Sequence, residues 1–329
     1  MWNEVRTMRC YRVTHRPQPE DGEMMRWGDD GMNDRNAASK GFHWLDNDTV
    51  AAWTFLAPAL LLLLAFVIGP IGYLIYLSFT TGSFTQTGTR WVGLQNYWRS
   101  LVSPDFWQVV GNTLYFSVAT VVPSIAIPLG LAALLDRIQT FRGFLRSAYF
   151  IPSITSTVAV GLGWRWLFQT DGPVNHFLDI FGIDAIPWLG SPVWAMPVLI
   201  LLSIWKQLGF NLVLFLAGLQ TIPQSRYEAA ELDGATPLQQ FWHVTIPGLR
   251  PTLVFVIVTT TIFTLRSFEQ VYVITGGGPL NSTNILVYYI YEQAFALFDL
   301  GYAAAAATLL LMVVLVLVYL QLKLTSEDN

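Results

Sequence analysis

Apolar residues in this chain fall in stretches of about twenty, separated by short segments rich in polar, aromatic and proline residues. Wound as a helix, such a stretch crosses the hydrocarbon core of a bilayer. Six are placed, at Trp53–Phe79, Asn112–Leu135, Arg146–Phe168, Val193–Leu219, Thr252–Ile274 and Tyr302–Leu322. The pattern predicts an all-α integral membrane protein with six transmembrane helices. Pro58, Gly69, Pro70, Pro123, Pro128 and Pro152 interrupt several of them. In a bundle, neighbouring helices satisfy the backbone groups that such residues free.

Composition agrees with this reading. Of 329 residues, 53% are apolar and only 12% charged, about half the charge of a soluble domain. The net charge of −4 is small and says little, and no basic patch suggests nucleic acid. Cys10 is the one cysteine, and with His15, His43, His176 and His243 it gives no metal-ligand spacing. No nucleophile–base–acid set stands out. Residues 1–52 carry no apolar run and read as a cytoplasmic tail without a packed core; a natural start at Met32 is the alternative. They are no secretory signal, which needs an apolar segment near its start. Residues 53–322 form the transmembrane domain and 323–329 a second short tail.

Lysine and arginine set the orientation. Arg137, Arg142 and Arg146 cluster between the second and third spans, and Arg226 and Arg250 between the fourth and fifth. The segments 169–192 and 276–301 hold none, while the first loop, with Arg90 and Arg99, is weaker evidence. Both termini and the segment between spans four and five are therefore expected in the cytoplasm. Trp91, Trp98, Trp107, Trp188 and Trp194 suit the aromatic belt at the membrane surface.

The segment 220–250 is a polar interruption between two apolar helices. Tyr227–Leu232 reads as one short helix, with small Ala229 and Ala230 permitting close approach of another surface. Gly234 supplies a turn that other residues resist. Pro237–His243 reads as a second, capped by Thr236 with Pro237 at an opening position.

Glu228, Ala229 and Ala230, then three residues, Gly234, nine residues, and Val244-x-Ile246-Pro247 follow the signature of membrane subunits of ATP-binding-cassette importers. Val244 and Ile246 stand where that family has Ile and Leu. Over about residues 53–320 the chain further resembles the carbohydrate-uptake branch, of the type of the larger maltose and first glycerol-3-phosphate permease subunits. It does so through Val92-Gly93-Leu94-Gln95-Asn96-Tyr97, Gly172-Pro173-Val174-Asn175, Leu216-Ala217-Gly218-Leu219-Gln220, Thr275-Gly276-Gly277-Gly278-Pro279 and Gly301-Tyr302-Ala303-Ala304-Ala305. The resemblance implies a coupling helix between the fourth and fifth spans, with Glu228, Ala229, Ala230, Asp233 and Gly234 docking on an ATPase. It also implies two ATPase subunits that hold ATP and Mg, a second homologous permease subunit, an extracytoplasmic solute-binding protein, surrounding lipid, and a plasma (inner) membrane of bacterial or archaeal type. The solute is then a sugar or sugar-like polyol, moved by alternating access. This chain itself binds no cofactor: it has no Walker loop, and its one lysine between Gly41 and Leu322 is Lys206. A secondary transporter or channel without an ATPase, or an importer of another small polar solute, is the alternative.

Charges inside apolar spans carry a cost of ~2.5–3.5 kcal/mol each at the bilayer centre and so face the protein interior or water. Lys206, Gln207 and Asn211 on the fourth span, and Arg266 and Glu269 on the fifth, are the candidates for the substrate path. Arg266 and Glu269 are three residues apart and predict a shared helix face. They are an internal ion pair, charges snorkelling to the interface, or a polar lining of the substrate path. Trp164 and Trp166 flank Arg165 and either stack on sugars or anchor the membrane edge.

Overall fold

A computed structural model describes residues 48–82, 90–136 and 149–326. The chain divides into two compact units, 1–64 and 65–329. The described part of the first is a helix, α1 (Asp48–Leu63). The tail predicted over 1–52, with Cys10, Met32 and His43, lies outside the described residues as far as residue 47, as do Arg137, Arg142 and Arg146.

The second unit begins with a π-helical turn that leads into α2 (Gly69–Ser78). A two-residue antiparallel ladder follows, β1 (Thr80–Thr81) with β2 (Arg90–Trp91), then α3 (Gln95–Val102) and α4 (Pro104–Asp136). The next helices are α5 (149–154), α6 (Thr157–Leu167), α7 (Pro173–Asp179) and α8 (Ala195–Leu219). Beyond them come α9 (Gln224–Leu232), α10 (Pro237–Gln240), α11 (Ile246–Gly248), α12 (Arg250–Leu265), α13 (Glu269–Ile274), α14 (Leu286–Tyr291) and α15 (Leu300–Ser326).

Five helices among the described residues are long and apolar enough to cross a membrane: 52–78, 104–135, 195–219, 250–274 and 300–323. The second span starts at Pro104, eight residues ahead of the predicted Asn112. The third is not one helix. It breaks at Thr155 and Ser156, where the Thr155 hydroxyl takes the Ile151 carbonyl at 2.8 Å and competes with the helical ladder. The fifth breaks after Leu265. There the Ser267 hydroxyl takes the Phe263 carbonyl at 3.2 Å, and the Ser267 N–H shifts to Thr264 at 3.1 Å. Arg266 and Glu269 therefore do not share a helix face.

The core of the second unit is the seam of α4, α8 and α12. Leu129, Ala132, Leu212, Phe215, Leu216, Leu249 and Val256 pack at one end of it. Phe116, Met196, Leu199, Leu202, Val271, Ile274 and Ile285 pack at the other. Pro128 has no N–H to give the Ser124 carbonyl four residues back. The Asn211 amide fills that gap, its Nδ2 donating to Ser124 O at 2.6 Å and to Thr260 Oγ1 at 3.1 Å. One side chain thus ties the three helices of the seam together.

Asn175 organises the segment after α6. It is buried and gathers the Thr170 and Ile186 carbonyls, the Ile186 amide and the Trp188 indole N–H around one carboxamide. Two of the distant sequence motifs meet at β1. Asn96 donates to the Ser78 and Thr80 carbonyls at 2.9 and 3.0 Å, and a Cβ on Gly301 would collide with the same Thr80 oxygen.

Candidate functional site

A cavity of about 710 Å³ opens where α5, α6, α8, α12 and α13 converge. Its wall includes Ser153, Thr155, Ser156, Thr157, Ser203 and Gln270, together with Phe210, Phe263 and Phe268. Four of the sequence-predicted residues, Lys206, Gln207, Arg266 and Glu269, line it as well. The two helix breaks form this wall: the chain leaves its ladder at 155–156 and at 266–268, so polar backbone and side chains turn into the cavity.

Asn211 is the exception among the predicted path residues. At 1% exposure it lies in the seam rather than in the cavity wall, its amide taken up by Ser124 and Thr260. Sequence placed it on the right helix, but one turn beyond Lys206 and Gln207 it turns to the proline-weakened neighbour.

Lys206 builds as well as lines the cavity. Its Nζ donates to the Thr155 carbonyl at 2.7 Å, at the end of α5. A cation there also suits the negative end of the helix dipole. The Ser153 hydroxyl donates to the Lys206 carbonyl at 2.9 Å and accepts from the Phe210 N–H at 3.2 Å, an acceptor and a donor that an α-helix pairs at this spacing. Gly209 completes the junction, since a Cβ there would overlap the Tyr149 carbonyl oxygen. Gln207 donates to Thr264 at 3.3 Å, while its carbonyl oxygen is buried without a partner. Gln270 donates to Ser203 at 2.8 Å. No direct ion pair joins Arg266 to Glu269 among the described residues, where the ion pair formed is Arg99–Asp299.

Trp164 and Trp166 stay out of the cavity. Trp164 stacks on Phe168 at 5.4 Å and leans on Trp205, and Trp166 is exposed. The hydroxyl cluster Ser153, Thr155, Ser156 and Thr157, absent from the predicted set, was legible as a polar interruption of an apolar run.

At the far end of α8, four residues lead into α9. Glu228, Ala229 and Asp233 are exposed and Ala230 half-buried. Gly234 has φ +76° and closes α9 with a paired arrangement: its N–H reaches Glu231 O at 3.0 Å, and the Ala235 N–H reaches Ala230 O at 2.9 Å. That is the Schellman pattern, in which glycine carries the left-handed residue. Thr236 and Gln239 cap α10 reciprocally, as the sequence predicted for Thr236. Tyr227 meets Thr245 at 3.1 Å and pins α9 to the turn after α10. Leu232 is 90% exposed, with Leu238 and Trp242 exposed beside it in sequence. This apolar set was not singled out from sequence; its signal is visible only when exposure is known.

Helices built to span a bilayer, a polar cavity within them and an exposed, rigidly capped helix at one end define a membrane transport subunit. The chain belongs to the family of binding-protein-dependent transport system inner membrane components, whose model matches residues 125–326. It is 37% identical over 265 residues to the sulfoquinovosyl glycerol transport system permease protein SmoG of Agrobacterium fabrum, covering 80% of this chain and 86% of the relative. It is 38% identical over 251 residues to the lactose transport system permease protein LacF of Rhizobium radiobacter, covering 75% and 84%. Among solved structures it resembles a chain of a bacterial ABC transporter involved in the import of the acidic polysaccharide alginate. That match has 25% identity, a TM-score of 0.75 and coverage of 86% of this chain and 98% of that one.

Proposed function

We propose that this chain is a sugar-translocating permease subunit of an ATP-driven importer, working by alternating access with a binding protein. The observation that carries the reading is the single rod α8. Its middle, at Lys206–Phe210, lines the polar cavity; its end, at Leu219, leads through a four-residue turn into exposed α9. The two points are about 20 Å apart at 1.5 Å per residue. A push on α9 is delivered along a rigid helix to the cavity wall. Relatives named for sulfoquinovosyl glycerol and lactose, and a structural neighbour named for alginate, support a saccharide as the solute.

In this reading α9 is the coupling helix. Glu228, Ala229, Ala230, Asp233 and Gly234 meet an ATPase subunit, and Leu232 adds an apolar contact. Two such ATPases bind ATP and Mg, and a second homologous permease completes the pathway. The interrupted α5–α6 segment serves as a sixth crossing, with both termini and α9 on the cytoplasmic side.

Uptake of labelled sugars in a strain lacking this chain, with and without the chain restored, tests the transport role. Crosslinking from Ala229→Cys to the ATPase in intact cells tests the docking. Unchanged uptake in the deletion strain refutes the first, and capture of no ATPase refutes the second.

A further inference from the structure

The charges facing the cavity do not balance. Two cations, Lys206 and Arg266, stand against one carboxylate, Glu269, which leaves one positive charge in excess. Lys206 is already engaged. Its Nζ is bonded to the Thr155 carbonyl. Arg266 has no such partner. Its backbone N–H closes α12 on Ile262, but among the described residues its guanidinium meets no carboxylate and donates no hydrogen bond. The C-terminal end of α12 favours a cation at this position. It leaves the planar fork of N–H donors open toward the cavity.

A guanidinium can donate to neutral hydroxyls, but a fixed negative group matches its charge as well as its fork. Sugar hydroxyls are served by Ser156 and Thr157. Ring faces are served by Phe210, Phe263 and Phe268. Arg266 is exposed and lines the cavity, so its guanidinium is open to a solute, and a carboxylate or sulfonate matches its planar fork through two parallel charge-assisted bonds. We infer that the solute passing through this cavity is a saccharide bearing a fixed negative charge, carboxylate or sulfonate, held by the Arg266 guanidinium. The inference rests on the reading of the chain as a sugar permease and narrows it to acidic sugars.

The experiment uses the whole importer in cells, with the wild-type chain, Arg266→Gln or Arg266→Lys, and membrane abundance of the chain measured in each. Labelled digalacturonate and sulfoquinovosyl glycerol form the acidic arm, and lactose and arabinobiose the neutral arm. The expected result is uptake in the acidic arm by wild type. Arg266→Gln then lowers it about tenfold or more at equal abundance, as loss of a charge-assisted bond implies, and Arg266→Lys retains part of it. Uptake confined to the neutral arm overturns the inference and leaves the sugar reading standing. An equal fall in both arms with Arg266→Gln also overturns it, because the guanidinium then serves the assembly. If Arg266→Gln fails to accumulate, Arg266→Lys decides: uptake of acidic sugars unchanged by loss of the fork counts against the inference. Uptake of neither arm, deletion strain and wild type alike, refutes the sugar reading itself.

Discussion

Asn211 Nδ2 lies 2.6 Å from the Ser124 carbonyl, the group that Pro128 leaves without its helical donor. A carboxamide on α8 thus repairs a proline defect in α4 while its own oxygen is met by Thr260 at 3.4 Å. Replacing Asn211 with Leu strands a buried carbonyl, which costs about 1–3 kcal/mol. The expected outcome is a lower thermal midpoint of the purified importer. In a Pro128→Ala background, where an N–H returns, the same substitution should cost less. Equal losses in both backgrounds would remove the link between the two residues.

Gly234 tests whether the shape of α9 matters to coupling. Its φ of +76° excludes β-branched residues at little steric expense elsewhere, since a Cβ there meets nothing within 4 Å. Gly234→Val should strain the cap by about 1–2 kcal/mol. Gly234→Asn, tolerated in this region, should strain it less. Uptake is expected to fall in the order Gly, Asn, Val at similar membrane abundance, with ATP hydrolysis retained. An uptake rate indifferent to these changes would detach the cap from transport.

Gly209 is where α5 is laid against α8. Any side chain there overlaps the Tyr149 backbone, and overpacking of this kind costs about 1–3 kcal/mol. Gly209→Ala should reduce both thermal stability and uptake, because the wall of the cavity moves with α5. A variant as stable and active as wild type would show that the junction is slack.

Leu232 is apolar and 90% exposed, so truncating it removes almost no packing within the chain. Leu232→Ser should leave the stability of the subunit unchanged within about 0.5 kcal/mol. It should weaken retention of the ATPase during purification. Undiminished co-purification would place the contact elsewhere on α9.

Glu269→Gln separates lining from structure. The carboxylate faces the cavity and makes no ion pair among the described residues. The substitution should change the KM or the solute preference of uptake while abundance holds. A fall in abundance alone would make Glu269 a structural group.

Sequence determined which segments are long and apolar enough to cross a membrane for five of the six predicted spans. Runs of twenty apolar residues leave a chain little choice in lipid, because only a helix satisfies its own backbone there. It also determined the cap at Thr236 and the turn at Gly234, where the interactions are local. The breaks at 155–156 and 266–268 were decided by tertiary structure: Thr113, Ser203, Thr259 and Thr308 make the same hydroxyl-to-carbonyl bond inside unbroken helices, so the local bond does not by itself end a helix, and at 155 the Lys206 ammonium takes the exposed carbonyl. Lys206, Gln207 and Asn211 stand on one short stretch of one helix, yet the first two reach the cavity and the third reaches Ser124. A helix distributes its residues over several neighbours, and which neighbour presents a cavity and which a bare carbonyl is fixed only when the helices pack.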